Sequence, residues 1–221
     1  MSKKLITFSL WGDNPKYTIG AIKNAILAKE IYPGWTCRYY VGKSVPQDIL
    51  ESLESLNNTE IIKINEDGNW SGMFWRFYPS SENDVEVMIS RDCDSRLNLR
   101  EKAAVDEWLI SDKGFHIMRD HPHHGTEILG GMWGVKQSVI KNIKELINNF
   151  TKGEFWQVDQ IFLKQIIYPM VKDNSMVHDE FHQYNNDKKP FPTVRLNKEF
   201  VGDVFDKNDE RHPDYWRVIP N

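Results

Sequence analysis

Val85-Glu86-Val87-Met88-Ile89-Ser90-Arg91-Asp92-Cys93-Asp94-Ser95-Arg96 is the stretch that decides the fold. Val85, Val87 and Ile89 alternate with Glu86 and Ser90, and Asp84 stands in front as a breaker, which are the period and the boundary of a β-strand. The strand ends in two carboxylates, Asp92 and Asp94, with one residue between them. On an extended chain residues two apart point the same way, so both carboxylates reach one side of the strand's mouth. Two like charges that close call for a cation. Oxygen ligands suit a hard divalent ion, Mg²⁺ or Mn²⁺, that itself holds a substrate phosphate. A plainer role is also open, in which Asp92 and Asp94 cap the loop leading to a helix at Asn98. The apolar strand before them and the arginines on both sides, Arg91 and Arg96, favour the cation.

Upstream, Leu5 to Leu10 reads as a strand and Trp11-Gly12-Asp13-Asn14-Pro15 as a turn that opens a helix, with Asn14 as cap and Pro15 at the first position. Ile19, Ile22 and Ile26 recur at helical spacing until Tyr32-Pro33-Gly34 stops the run. Thr36 to Val41 is the next strand, Pro46 opens a helix with Ile49, Leu50, Leu53 and Leu56 on its apolar stripe, and Glu60 to Ile64 is strand-like again. Alternating strands and helices predict an α/β fold of the Rossmann-like kind, a mostly parallel central sheet with helices on both faces. Ligands of such sheets bind beyond the carboxyl ends of the strands, where Asp92 and Asp94 lie.

The chain of 221 residues suits one domain, 1–221, with an irregular C-terminal extension over about 185–221 that can wrap the site. Lys and Arg number 28 against 32 Asp and Glu, a net charge of −4, which argues against a general nucleic-acid binder. Two cysteines, Cys37 and Cys93, are too few for a disulfide scaffold and fit a reducing compartment. No apolar run approaches the roughly 20 residues that cross a bilayer, so a soluble, cytoplasmic protein is expected.

Trp70, Met73, Phe74 and Phe77 share a helical face, and Arg76 sits among them, where an unpaired charge is expensive. Its partner is either a protein carboxylate or a ligand phosphate. Asn98 and Glu101 resemble a capping box, with Ala104, Val105, Trp108 and Leu109 on the buried face behind it. Asp120-His121-Pro122-His123-His124 lacks any standard zinc spacing and reads as a polar loop. In Gly130-Gly131-Met132-Trp133-Gly134 the glycines let the backbone pass close to a ligand while Trp133 offers an aromatic face, or they serve a tight crossover of the chain. A helix is predicted from about Gln137 to Phe150, Asp159 and Gln160 open another, and Met176 to Asp179 is a short strand that can bring His178 to the rim of the carboxylates.

The order of Ser90 to Arg96, the Gly130 to Gly134 loop, Asp159-Gln160 and His178-Asp179 resembles metal-dependent nucleotide-sugar glycosyltransferases of the GT-A fold. It is most similar to a group of small domains that includes one from an algal virus, and more distantly to the family 8 retaining enzymes. The resemblance runs from the first strand to about Gly202. It implies a UDP-sugar donor such as UDP-glucose, Mn²⁺ or Mg²⁺ as cofactor, and a glycan or other hydroxyl compound as acceptor. It also implies that Asp94 ligates the metal, that Asp92 contacts metal or ribose, that His178 completes the coordination, and that Phe8, Ser9 and Tyr17 border the uridine. His178 is followed by Asp179-Glu180 and not by the glycine-containing diphosphate motif of family 8.

Breaking a glycosyl phosphate bond leaves a diphosphate with added negative charge, which a divalent ion stabilises and to which Arg76 and Arg91 can donate. Gly131 and Trp133 are candidate contacts of the donor. The oxocarbenium-like sugar needs a close neutral or anionic partner, for which Asp159 and Gln160 are the candidates. An inverting path also needs a carboxylate base, Asp159 or Asp120, whereas a retaining path, to which the resemblance points, does not. Nucleotidyl transfer is a weaker alternative, because Trp11-Gly12-Asp13-Asn14 is neither glycine-rich nor basic. A noncatalytic sugar-nucleotide-binding module is the other.

Overall fold

The computed structural model describes residues 2–150, 153, 155–184 and 187–220, so the two ends of the predicted extension, Asn185 and Asn221, lie outside the described residues. β1 (Lys3–Leu10), β2 (Thr36–Val41), β3 (Thr59–Lys63), β4 (Val85–Ser90), β5 (Phe115–Arg119), β6 (Trp133–Lys136) and β7 (Ser175–Asp179) form one sheet in the order β3-β2-β1-β4-β6-β5-β7. Every neighbouring pair is parallel except those of β6, which runs antiparallel between β4 and β5. β4 is thus flanked on both edges and covered on both faces, which is why its sequence is so apolar. Val87 and Ile89 enter one core and Val85 and Met88 the other. A register shift opposite Lys3 and Lys4 takes Val85 out of the simple alternation.

α1 (Pro15–Ile31) begins as predicted, with the Asn14 side chain accepting the Lys16 N–H at 3.0 Å and Pro15 at the first position. It covers one face together with α2 (Gln47–Glu54) and α3 (Leu99–Leu109), whose Leu53, Val105 and Trp108 join Ala21, Ala25 and Ala28 over β1, β2 and β4. Asn98 caps α3 by accepting the Glu101 N–H at 2.8 Å. The other face carries Phe74 and Phe77 from a run of 3₁₀ turns over Trp70–Ser81, then α4 (Ile143–Asn149) and α5 (Val158–Phe162), which continues through a π-helical turn at Leu163–Ile167.

α4 is shorter than the helix predicted from Gln137. Ser138 takes a left-handed φ of 67°, and the turn that follows places Ile140 in the core before the helix begins.

The strand directions set where a site can form. β1 and β4 end at the same edge, and because Ser90 pairs with Trp133, the loop entering β6 arrives there too. The extension reaches this edge as well: Val204 bridges to Ser95, and the Phe205 N–H donates to the Asp94 carbonyl at 2.8 Å. No helix among the described residues is long and apolar enough to cross a membrane.

Across the sheet, Arg119 at the end of β5 and Asp179 at the end of β7 form a fully buried ion pair at 2.6 Å. The other Asp179 oxygen accepts the N–H groups of Phe181 and His182. Breaking a buried pair leaves an uncompensated charge, so Asp179→Ala is expected to cost about 3–5 kcal/mol in urea unfolding.

Candidate active site

The turn that carries the two aspartates is held from below by α1. Gly20 lies so close that a Cβ there would stand 1.9 Å from the Cys93 carbonyl oxygen. One turn further on, the fully buried Asn24 donates to the Ser95 carbonyl at 2.8 Å and accepts the Leu97 N–H at 3.1 Å. The Ser95 hydroxyl donates to the Asp92 carbonyl at 3.0 Å. Backbone packing and paired amides therefore fix the turn independently of its carboxylates.

Above it opens a cavity of about 470 Å³. Ser9 and Tyr17 line it from the first strand and helix, Asp92 and Asp94 from the turn, Arg76 from the 3₁₀ run, and Asp159 and Gln160 from α5. These residues come from four distant parts of the chain.

Arg76 resolves the alternative left by the sequence in favour of protein carboxylates. Its guanidinium bridges Asp92 and Asp159, the latter at 2.9 Å, and the Arg76 backbone N–H donates to the Ser9 hydroxyl at 3.1 Å. Asp94 instead meets Lys16, whose Nζ lies 2.7 Å from its Oδ2. Burial raises the pKa of Asp94, the Asp92 charge adds to this, and Lys16 opposes it. Burial likewise raises that of Asp159 against the pull of Arg76. Three carboxylates and Arg76 thus share one wall, and Lys16 pairs with one of the three.

The glycine loop serves this cluster through close approach. A Cβ at Gly130 would come within 2.3 Å of Asp159 Oδ2, and one at Gly131 within 2.1 Å of Asp92 Oδ2. Trp133 does not offer its face to the cavity; it is fully buried, with Phe115 and Phe77 at 5.3 and 5.2 Å. Aromatic surface at the cavity comes from Trp11, Trp70, Trp156 and Tyr215.

Two other expected contacts, Phe8 and Arg91, also point elsewhere. Phe8 is stacked on Tyr39 in the core, since neighbours along a strand face opposite sides and Ser9 already faces the cavity. Arg91 is buried against Glu101 at 2.8 Å and donates to the Ser90 and Trp133 carbonyls, so it braces the sheet and does not line the cavity.

His178 is not brought to Asp92 and Asp94. β7 lies three strand spacings from β4 in the sheet, about 14 Å. The His178 ring is fully buried, with Nδ1 at 2.8 Å from His116 Nε2 and Nε2 at 3.2 Å from Glu107. Asp120 is equally unsuited to act as a base: both oxygens are held by Arg100 and Arg195, and the Val201 N–H adds a further bond.

The sequence patterns single out none of Lys16, Trp156, Gln157 and Tyr215 and read His124 only as part of a polar loop. Lys16 follows the β1 turn, where the rule for ligands at strand ends gives a usable signal. Tyr215 has none, because only the returning extension brings it in. His124 lines the cavity, and burial holds its pKa well below the usual histidine range. The histidine loop is otherwise a polar loop, with the His121 ring nitrogens occupied by the Tyr215 carbonyl and the His123 N–H.

No group of three or more His, Cys, Asp or Glu residues among the described residues is arranged to hold a metal. Asp92 and Asp94 nevertheless fit a hard divalent ion of the kind that takes one or two carboxylates and completes its shell with water and substrate phosphate.

No protein-family profile matches the chain, and a search of curated proteins found no match. Solved structures do match. A glycosyltransferase involved in the glycosylation of the major capsid of PBCV-1 is 14% identical, with a TM-score of 0.53, covering 80% of this chain and 81% of its own. The mannosyltransferase PcManGT from Pyrobaculum calidifontis, in complex with GDP-Man and Mn²⁺, is 10% identical, with a TM-score of 0.52, covering 81% of this chain and 55% of its own. Glucosyl-3-phosphoglycerate synthase from Mycobacterium tuberculosis, in complex with UDP, is 10% identical, with a TM-score of 0.51, covering 85% of this chain and 73% of its own. The chain has the GT-A fold, with its seven-stranded, mostly parallel sheet between helices.

The placement of His178 has a consequence for stability. Burial holds the pKa values of both His116 and His178 below the usual 6.5, that of His116 well below. The unfolded chain takes up these protons more readily, so stability is full above pH 6.5 and falls as the pH drops below it. Urea midpoints at pH 7.5 and 5.5 are expected to show this loss, and His116→Gln to reduce it.

Proposed function

We propose that the chain is a nucleotide-sugar glycosyltransferase, a single GT-A domain over 1–221 that transfers a hexose from a UDP-sugar such as UDP-glucose to a hydroxyl acceptor. The observation that carries this reading is the convergence of Asp92, Asp94 and Asp159 on one cavity at the carboxyl edge of the sheet. Asp92 and Asp94 would hold Mn²⁺ or Mg²⁺. A divalent ion there stabilises the charge that develops on the departing diphosphate.

The chain's own residues supply position and field. Ser9 and Tyr17 border the nucleotide from β1 and α1. Arg76 fixes Asp92 and Asp159 relative to each other, so the carboxylates are oriented before substrate arrives. Gly130 and Gly131 let the loop into β6 close the cavity against them. Asp159 and Gln160 face the sugar and stabilise its positive character as the bond breaks.

Two observations bear on the acceptor. An adjoining cavity of about 300 Å³ shares Leu129, Gln157 and Gln160 with the first, which gives an acceptor glycan or other hydroxyl compound a way to the sugar. Asp159 is only 2% exposed and both its oxygens are bound, to Arg76 and to the Gln160 N–H. No free carboxylate base is thereby offered by it, which supports a retaining path, as in the family 8 enzymes that the sequence distantly resembles. Two free, buried cysteines are compatible with the reducing cytoplasm.

A thermal-shift screen of nucleotide sugars with and without Mn²⁺ tests the reading, since a ligand of the native state raises the melting temperature. UDP-glucose or a related UDP-sugar is expected to stabilise the protein only with the metal, and Asp94→Asn to abolish both that shift and UDP release. The absence of any nucleotide-sugar shift in either metal would sink the proposal. Gly131→Ala, which must displace the Asp92 carboxylate, is expected to weaken UDP binding by about tenfold, or ~1.4 kcal/mol, in calorimetry.

A further inference from the structure

We infer that Lys16 competes with the metal for Asp94 and becomes a ligand of the donor's diphosphate, so that metal and nucleotide bind as a coupled pair. This rests on the cavity being a metal and nucleotide site. Lys16 stands in the first turn of α1, which contains no acidic residue. A cation there opposes the helix dipole, so the helix itself gives no reason for a lysine. What the lysine has is Asp94, at 2.7 Å, in a pair whose side chains are only 31% and 17% exposed.

A divalent ion that takes Asp94 as a ligand must first break this pair. The two cations differ in what they can then do. Arg76 is buried and forked between two carboxylates, so it stays with both when the other Asp92 oxygen meets a metal. Lys16 has one anion, a flexible four-carbon stem and a compact charge that can follow a phosphate. Losing Asp94 leaves that charge at the first turn of α1, between Asn14 and Tyr17 of the cavity lining, where phosphate oxygens bound to the ion would replace the carboxylate.

The coupling has a definite sign. Metal alone displaces Lys16 without recompense, and nucleotide alone meets a lysine already neutralised by Asp94. With both present, the ion gains Asp94 and the diphosphate gains Lys16. Each therefore raises the affinity of the other, by the same factor.

Calorimetry with Mn²⁺ alone, and with UDP at saturating Mn²⁺, reads both sides. Lys16→Met is expected to tighten the binding of Mn²⁺ alone by about two- to fivefold, the range of a partly exposed ion pair, and to weaken UDP binding at saturating Mn²⁺ by a similar factor. Lys16→Arg keeps the charge and is expected to behave close to the native protein. A lysine that only supports the fold would lower both affinities together or neither.

If native protein binds Mn²⁺ and UDP but Lys16→Met leaves the affinity for Mn²⁺ alone unchanged or weaker, the inference fails and the glycosyltransferase reading stands. If native protein binds neither, both fall. Should Lys16→Met not fold, Lys16→Gln, which keeps a polar stem, carries the same two measurements.

Discussion

A single buried guanidinium organises the site. Arg76 has almost no solvent, and a charge in such a place is tolerated only when it is paired and hydrogen-bonded. Its partners, Asp92 after β4 and Asp159 at the start of α5, are 67 residues apart in sequence, so one side chain ties the middle of the sheet to a helix on its far face. Ser9 holds the Arg76 backbone, which brings β1 into the same arrangement. Removing Arg76 would leave two carboxylates facing each other and a third close by, with Lys16 alone to offset them.

Around this bridge the supporting structure is made of close approaches. Gly20 brings α1 against the Cys93 carbonyl, and Gly130 and Gly131 bring the β6 loop against the acids. Asn24, with no exposed surface, pairs its amide with the backbone on both sides of Arg96. None of these residues has a titrating side chain. Their work is to keep the acids where a shared cation or a diphosphate would meet them, a form of preorganisation in which the cost of ordering is met on folding. The cation pairs make the wall nearly neutral before any ligand arrives, so that binding exchanges one set of charge contacts for another.

Much of the fold was legible because its signals are local. The Val85 to Ser90 alternation, the Asn14-Pro15 opening of α1 and the Asn98 cap of α3 depend on strand period and on orphan backbone donors, and each appears where the sequence puts it. Asp92, Asp94, Arg76, Asp159 and Gln160 were also legible as residues whose chemistry needs a partner, and the structure brings all of them to one cavity. Four others were misplaced. Phe8, Arg91 and Trp133 belong to the core or brace the sheet, and His178 belongs to a buried pair with His116. Residue type alone cannot separate an arginine that meets phosphate from one that meets Glu101, because both satisfy the same demand for an anion.

By itself the sequence determined the α/β class, the acidic mouth of β4 and the element order except for β6, since these follow from hydrophobic period, capping and the direction of side chains along a strand; Trp133 to Lys136 reads only as the end of a glycine loop. Tertiary structure alone decided the order of the strands, with β6 inserted antiparallel between β4 and β5. That order separates His178 from the aspartates by the width of two intervening strands, and it delivers the glycine loop to them. It also chose the partners of each charge, Lys16 for Asp94 and Arg76 for Asp92 and Asp159. Such pairings depend on distances between segments far apart in the chain, which no local pattern encodes; they are fixed only when the sheet, the helices and the returning extension pack together.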